Sequence, residues 1–316
     1  MLKEITIDTA LQCLDIAADD NFRCNKDGQL SVISEKSVHL PNHYARCFSL
    51  YSWDPCVQVS DSAFVMTRNE FLILALAFAS IKQHDYGFEP ITIPLTELCK
   101  IFGLKLSGST DYKAWAKTIY RLSSRRVIYV ENQKSIVMCP YFSTCVLNCE
   151  TKVVTLKLNP DLSQYFLHLE KNKTIFNFGF LRQMSSVSSM LLYILCASTK
   201  RGDYTLYNTL EHLKKRLGYS GANKFFISDV LIPAIYEINQ ISDLNVKIQF
   251  IRRNRAITAV RFFVSCKSAI EMDEQGISSS NVKRRKISAP ITEMRSAVVD
   301  QDCELAVNPK KEITID

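Results

Sequence analysis

Leu98-Cys-Lys-Ile-Phe-Gly103 and Leu213-Lys-Lys-Arg-Leu-Gly218 are two versions of one phrase, about 115 residues apart. Each follows a short β-prone pair, Thr92-Ile93 in the first case and Thr205-Leu206 in the second, and each ends on the glycine that commonly stops a helix. Upstream of each lies an apolar helix, Glu70 to Ser80 and Ser185 to Ala197. Downstream lies another, starting near Asp111 in the first copy and running from Asn223 to Gln240 in the second. Alternating strands follow, at Val127 to Val130, Ser135 to Met138 and Val153 to Leu158, and again at Val246 to Ile251 and Ile257 to Val264.

Helix, strand, helix, helix and hairpin is the order of a winged helix, and it occurs twice. The expected fold is α+β: two tandem winged-helix domains related by an internal pseudo-repeat, over 61–173 and 174–266. Residues 1–60 have weak periodicity and read as an extension of uncertain structure. After Cys266 the apolar periodicity stops, and 267–316 reads as a disordered tail. Within the first unit Thr67 is the expected N-cap, with Glu70 three residues later completing a capping box. Thr96 opens the next helix. Pro233 predicts a kink or restart in the second unit's long helix, because it removes an intrahelical donor.

The net charge of +7 is unevenly spread. Residues 1–60 hold five Lys and Arg against eight Asp and Glu, and 267–316 hold eight against nine, leaving 26 against 15 in 61–266. The basic surplus therefore belongs to the patterned region and suits a polyanionic partner. No apolar run reaches the ~20 residues of a bilayer span. The opening Met1-Leu-Lys-Glu-Ile-Thr-Ile-Asp8 lacks a basic segment followed by an apolar one, so a cytoplasmic protein is expected, with no membrane contact. Eleven cysteines without a C-x-x-C pair fit reduced, mostly buried thiols.

The third helix of a winged helix enters the major groove while the wing reaches flanking phosphates. Lys113, Lys117, Arg121 and Arg125 recur every four positions opposite Tyr112, Trp115, Ile119 and Leu122, an array suited to tracking phosphates, with Arg121 or Arg125 able to fork onto guanine. In the second unit Asn223, Lys224 and Ser228 are the polar residues on the leading turn. Asn reads adenine and Lys reaches guanine. Lys214, Lys215 and Arg216 beside that helix, and Arg252, Arg253 and Arg255 in the wing, are expected to hold the backbone.

Other chemistry finds little support. His39-Leu-Pro-Asn-His43 lacks the paired-His geometry of a nicking enzyme, and neither His39, His43, Cys47 and Cys56 nor Cys139, Cys145 and Cys149 has the spacing of a structural zinc site. No phosphate-binding glycine loop occurs. No catalytic residue, metal or cofactor is therefore expected. Lys283-Arg-Arg-Lys286 is assigned no specific role. Lys3-Glu-Ile-Thr-Ile-Asp8 recurs intact as Lys311-Glu-Ile-Thr-Ile-Asp316, an improbable match by chance; a duplicated peptide motif and an artefact of sequence origin are both open readings.

Thr67 to Val264, about 200 residues, resembles the Rep_3 family of iteron-type plasmid replication initiators. The resemblance is carried by Leu191-Leu-Tyr193, Leu213-x-x-x-Leu217-Gly218, Val230-Leu-x-Pro-Ala-Ile-x-Glu-Ile-Asn239, Asp243-Leu244 and Ala259-Val-Arg-Phe-Phe263. It implies a non-enzymatic protein that binds repeated double-stranded sites at an origin, promotes opening of an AT-rich region and recruits the host helicase and host initiator ATPase. It also implies a homodimer that represses its own promoter. The family usually carries basic residues just before Val230-Leu231, where Ile227, Ser228 and Asp229 stand here, so base reading falls to Lys224 and the wing. A winged-helix repressor without initiation activity is the alternative reading.

Overall fold

The computed structural model describes residues 37–41, 66–104, 109–131, 135–169, 173–198, 204–253, 256–279 and 312–314. The first unit opens with α1 (Arg68–Ala79), followed by β2 (Ile91–Pro94), α2 (Leu95–Ile101) and α3 (Ser109–Ser123). Four strands follow, β3 (Arg126–Glu131), β4 (Ser135–Pro140), β5 (Phe142–Leu147) and β6 (Val153–Leu158), and then a short α4 (Ser163–Phe166). Strand β7 (Lys173–Asn177) pairs antiparallel with β1 (Ser37–Pro41). Part of the extension expected to have uncertain structure is thus a strand on the body of the protein.

The second unit contains α5 (Phe178–Gln183), α6 (Val187–Ala197), β8 (Tyr204–Thr209) and α7 (Leu210–Arg216). A continuous helical run follows, made of α8 (Asn223–Phe225), a π-helical segment (Phe226–Leu231) and α9 (Ile232–Ile241). Strands β9 (Leu244–Arg253) and β10 (Ala256–Cys266) close the unit.

The two units share one plan. Sheet order is β2-β6-β5 in the first and β8-β10-β9 in the second, where β11 (Glu312–Thr314) adds a fourth strand beside β8. Gly103 and Gly218 both have φ 66°. In each copy the helix ends in the same pair of bonds: Gly103 N–H to Lys100 C=O and Leu104 N–H to Cys99 C=O in one, Gly218 N–H to Lys215 C=O and Tyr219 N–H to Lys214 C=O in the other. That left-handed stop satisfies the last carbonyls, and a side chain at the glycine would be strained. The repeated phrase therefore records a repeated helix stop.

The pairing also revises the first unit's hairpin. By sheet position the counterpart of β9-β10 is β5-β6, and β3-β4, which lies between α3 and β5 along the chain, forms a separate two-stranded hairpin. Strand β5 escapes the sequence pattern because a register irregularity between Phe142 and Thr144 breaks its alternation.

Helices α1 and α6 form the centres of the core, with Phe71 to Ala79 and Met190 to Ala197 buried on every side. The capping box at Thr67 and Glu70 is present. Phe78 stacks on Phe166 at 4.9 Å between ring centroids, and Phe102 packs on Trp115 at 5.8 Å. Arg68 ties the units together, donating from Nε to the Met184 carbonyl at 3.0 Å and from Nη2 to the Arg182 carbonyl at 2.5 Å.

Residues 267–279, expected as tail, carry α10 (Ala269–Glu274), started by a capping box of Ser268 and Glu271. Ile277 is buried, and the Ser278 and Ser279 carbonyls accept from Gln183 and Arg182. The Ser268-x-x-Glu271 signal was available in the sequence, but the apolar surface it anchors is too small to show as periodicity. Among the described residues no helix is long and apolar enough to cross a membrane.

Candidate nucleic-acid interface

In the first unit α3 buries Trp115, Ile119 and Leu122 and exposes Lys117 and Tyr120, with Lys113 and Arg121 half-buried. The expected Lys/Arg stripe does not stay on one face. A step of four on a helix of 3.6 residues per turn advances by about 40°, so three steps carry the row about 120° around the axis. Arg125 lies past the end of α3, is 5% exposed, and donates from Nη2 to Glu70 Oε2 at 2.7 Å and from Nε at 3.2 Å. Arg121 Nε lies 2.8 Å from Glu70 Oε1. Arg125 is therefore a structural ion pair and cannot meet DNA without unfolding its surroundings, which corrects its place in the stripe. Arg121 keeps only part of its guanidinium at the surface.

The short β5-β6 turn does not project as a wing. Lys152, in the left-handed region at φ 55°, accepts from Leu95 N–H, and its ammonium sits 4.9 Å above the Tyr112 ring. This draws the turn onto the helices α2 and α3.

The second unit presents a different surface. Ser220, Gly221, Ala222, Asn223, Lys224 and Phe225 are all exposed in succession where the helical run begins. Ala222 at the N-cap gives no side-chain cap to the leading N–H groups. Lys214 Nζ donates to Asn223 Oδ1 at 3.0 Å, which orients that carboxamide. Tyr219 packs on buried Phe226 at 5.4 Å, and a side chain on Gly221 would come within 2.6 Å of the Tyr219 hydroxyl. This turn holds the leading residues in place.

Phe225 is 53% exposed while Phe226 is fully buried, so the run turns one phenyl ring outward and one inward. Pro233 acts as a restart: the hydrogen-bond pitch widens to the π form over Phe226–Leu231, and α9 resumes with Pro233 in its first turn. Ser228 and Asp229 are exposed on the π segment, with Ser228 Oγ 2.5 Å from Asp229 Oδ1. Ser228 is thus committed in part to its acidic neighbour.

Lys215 is exposed and Lys214 half-buried, but Arg216 is 3% exposed and belongs to the core side of α7, a second correction. Leu213 and Leu217 are both buried, and Arg216 stands next to Leu217 on that inner face. Strands β9 and β10 continue past their pairing with β8, which ends at Ala259, as far as Arg253 and Ala256. Arg252 and Arg253 are exposed on this projection, and a register irregularity between Ile257 and Ala259 marks its base. Arg255 lies outside the described residues, as do His43, Cys47, Cys56 and 283–286. Sequence reasoning passed over Phe225 and Tyr120, the exposed aromatic residues of these helices, because an aromatic residue in a helix is more often core.

Residues 57–197 match the family described as Initiator Replication protein, WH1, and residues 209–264 match Initiator Rep protein, WH2. The chain belongs to this initiator replication protein family. The initiator's fold is similar to that of the Pi initiator protein, solved in complex with iteron DNA, at 15% sequence identity and a TM-score of 0.56, covering 73% of this chain and 98% of that one. Domains 2 and 3 of RctB align at 14% identity and a TM-score of 0.46, over 72% of the initiator and 99% of that chain. Among curated protein sequences none matches.

Proposed function

We propose that the initiator starts plasmid replication by binding repeated double-stranded sites at an origin, with the second unit reading sequence and the first adding phosphate contacts. The observation that carries this reading is the exposed run Asn223-Lys224-Phe225, braced by Lys214 and accompanied by the projecting hairpin with Arg252 and Arg253. Asn223 suits adenine, Lys224 a guanine edge, and Phe225 the thymine methyl, while guanidinium groups on a wing pair with phosphates. Lys113, Lys117, Tyr120, the exposed part of Arg121 and Lys215 supply further backbone contacts. Ser228 and Asp229 are exposed one turn further along, where the Ser228 hydroxyl donates to Asp229 Oδ1, so base reading rests on Asn223, Lys224 and Phe225.

On this reading the protein works by binding and not by catalysis, in the cytoplasm. Opening of adjacent AT-rich DNA, recruitment of the host helicase and host initiator ATPase, homodimerisation and repression of its own promoter follow from the same proposal. Footprinting the DNA beside the gene tests it. Protection of direct repeats of about one to two helical turns next to an AT-rich stretch supports initiation. Protection of a lone inverted repeat over a promoter supports a repressor instead, and protection of neither contradicts both.

A further inference from the structure

The sheet of the second unit carries a strand from far away in the sequence: β11 runs parallel to β8, with Glu312 opposite Thr205, Ile313 opposite Leu206 and Thr314 opposite Tyr207. Those three residues belong to Lys311-Glu-Ile-Thr-Ile-Asp316, and the chain holds the same hexapeptide at Lys3–Asp8. There is one edge and there are two copies of its ligand. We infer that the outer edge of β8 is a strand-addition site for Lys-Glu-Ile-Thr-Ile-Asp, and that residues 3–8 of a second copy of this chain compete for it with residues 311–316.

The edge itself argues for an occupant. Tyr204-Thr-Leu-Tyr-Asn-Thr209 contains no charge and no proline, so without β11 it would present an unguarded row of backbone donors and acceptors. Of the outer strands of the two three-stranded cores, β2 contains Pro94 and β9 carries exposed Lys247, Arg252 and Arg253, whereas β5 is uncharged like β8 but is interrupted by the register irregularity between Phe142 and Thr144. The ligand is suited to the place. Ile-Thr-Ile is a run of β-branched residues, and the same tripeptide at Ile91–Ile93 forms most of strand β2. Strand addition uses main-chain hydrogen bonds, so identical sequences pair with identical energy. Tethering decides between them. Residues 311–316 belong to the same chain as the sheet, which keeps their effective concentration high, on the order of millimolar. Residues 3–8 of another molecule gain the edge when chains are crowded to similar concentrations. The exchange needs no DNA and does not depend on the proposed function.

The test uses the full-length chain with Ile313→Pro, Ile5→Pro and both together, since a proline in the added strand removes a ladder donor. Sedimentation at rising protein concentration and amide exchange over residues 204–209 are measured for each. The wild type is expected to keep the β8 edge protected, I313P to associate at lower concentration than the wild type with the edge still protected, and the double variant to associate no more than the wild type with the edge unprotected. A fluorescent Lys-Glu-Ile-Thr-Ile-Asp peptide should bind the double variant at least ~10-fold more tightly than the wild type, as displacement of a tethered strand requires. Equal edge exchange in the wild type and the double variant would overturn the site. An I313P chain that associates no more than the wild type at every concentration, or a double variant that associates like I313P, would overturn the competition by a second copy.

Discussion

Glu70 and Arg125 meet across 55 residues of sequence as a buried pair, 2.7 Å from Oε2 to Nη2, with side chains 0% and 6% exposed. Glu70 also completes the capping box of α1 and lies 2.8 Å from Arg121. One carboxylate thus starts a helix and fixes where the segment after α3 enters the core.

Removing that carboxylate leaves a guanidinium buried without its partner. Glu70→Ala is expected to destabilise the protein by about 3–5 kcal/mol, whereas replacing the pair together, Glu70→Leu with Arg125→Met, should cost much less. Urea unfolding of the three proteins checks this. Equal losses for the single and double variants would show that the pair is not what holds the site together.

Phe225 and Phe226 should respond to alanine in opposite ways. Phe226→Ala empties a fully buried position and is expected to cost about 3–5 kcal/mol of stability. Phe225→Ala should leave stability within about 0.5 kcal/mol and lower affinity for the recognised duplex by about 1–3 kcal/mol. Thermal melts and duplex titrations separate the two. A Phe225 variant that melts early and binds normally would place that ring in the core.

Gly221→Ala should act through Tyr219. The added carbon meets the ring, which must move, and the turn that presents Asn223 moves with it. A loss of discrimination between duplex sequences with little change in melting temperature is expected; unchanged discrimination would show that the ring swings aside freely.

Thiol chemistry should follow burial. Desolvation pushes the Cys99 and Cys145 thiols up to about 11 and Cys196 up to about 12. At pH 8 an alkylating reagent should, among the cysteines of the described residues, modify exposed Cys266 first and leave Cys99 and Cys196 intact until the protein unfolds. Because these thiols stay neutral in the fold above the point where an unfolded thiol ionises, their contribution to stability is full below about pH 9 and declines as pH rises from there. Mass spectrometry of labelled protein across pH gives the order directly.

The fold was legible because it is written twice. The stops at Gly103 and Gly218, the capping box at Thr67 and the apolar helices around Leu74 and Leu192 are local signals, and local physics realises them. Of the candidate interface residues, Asn223, Lys224, Arg252 and Arg253 stand exposed where the sequence placed them, because there position along the chain equals position in space. Arg125 and Arg216 misled because a sequence row of basic residues does not say where a helix ends or which face its neighbours bury. Glu70 could not be read as the counterpart of Arg121 and Arg125, since those two stand on or just past another helix. The hexapeptide at 311–316 was visible as a repeat, but its use as a strand depends on an edge supplied by β8, far away in sequence.

The central claim is that the second unit divides its work between a reading helix start and a phosphate-holding wing. Titration of labelled duplexes, one carrying the footprinted repeat and one a scrambled version, over a range of salt, tests it for the wild type, Lys224→Ala and the Arg252→Ala, Arg253→Ala double variant. The account predicts that the wing variant weakens both duplexes alike and lowers the salt slope by about two, while Lys224→Ala weakens only the repeat by about 1–3 kcal/mol. A wing variant that binds both duplexes like the wild type, or a wild type that does not distinguish them, would contradict it.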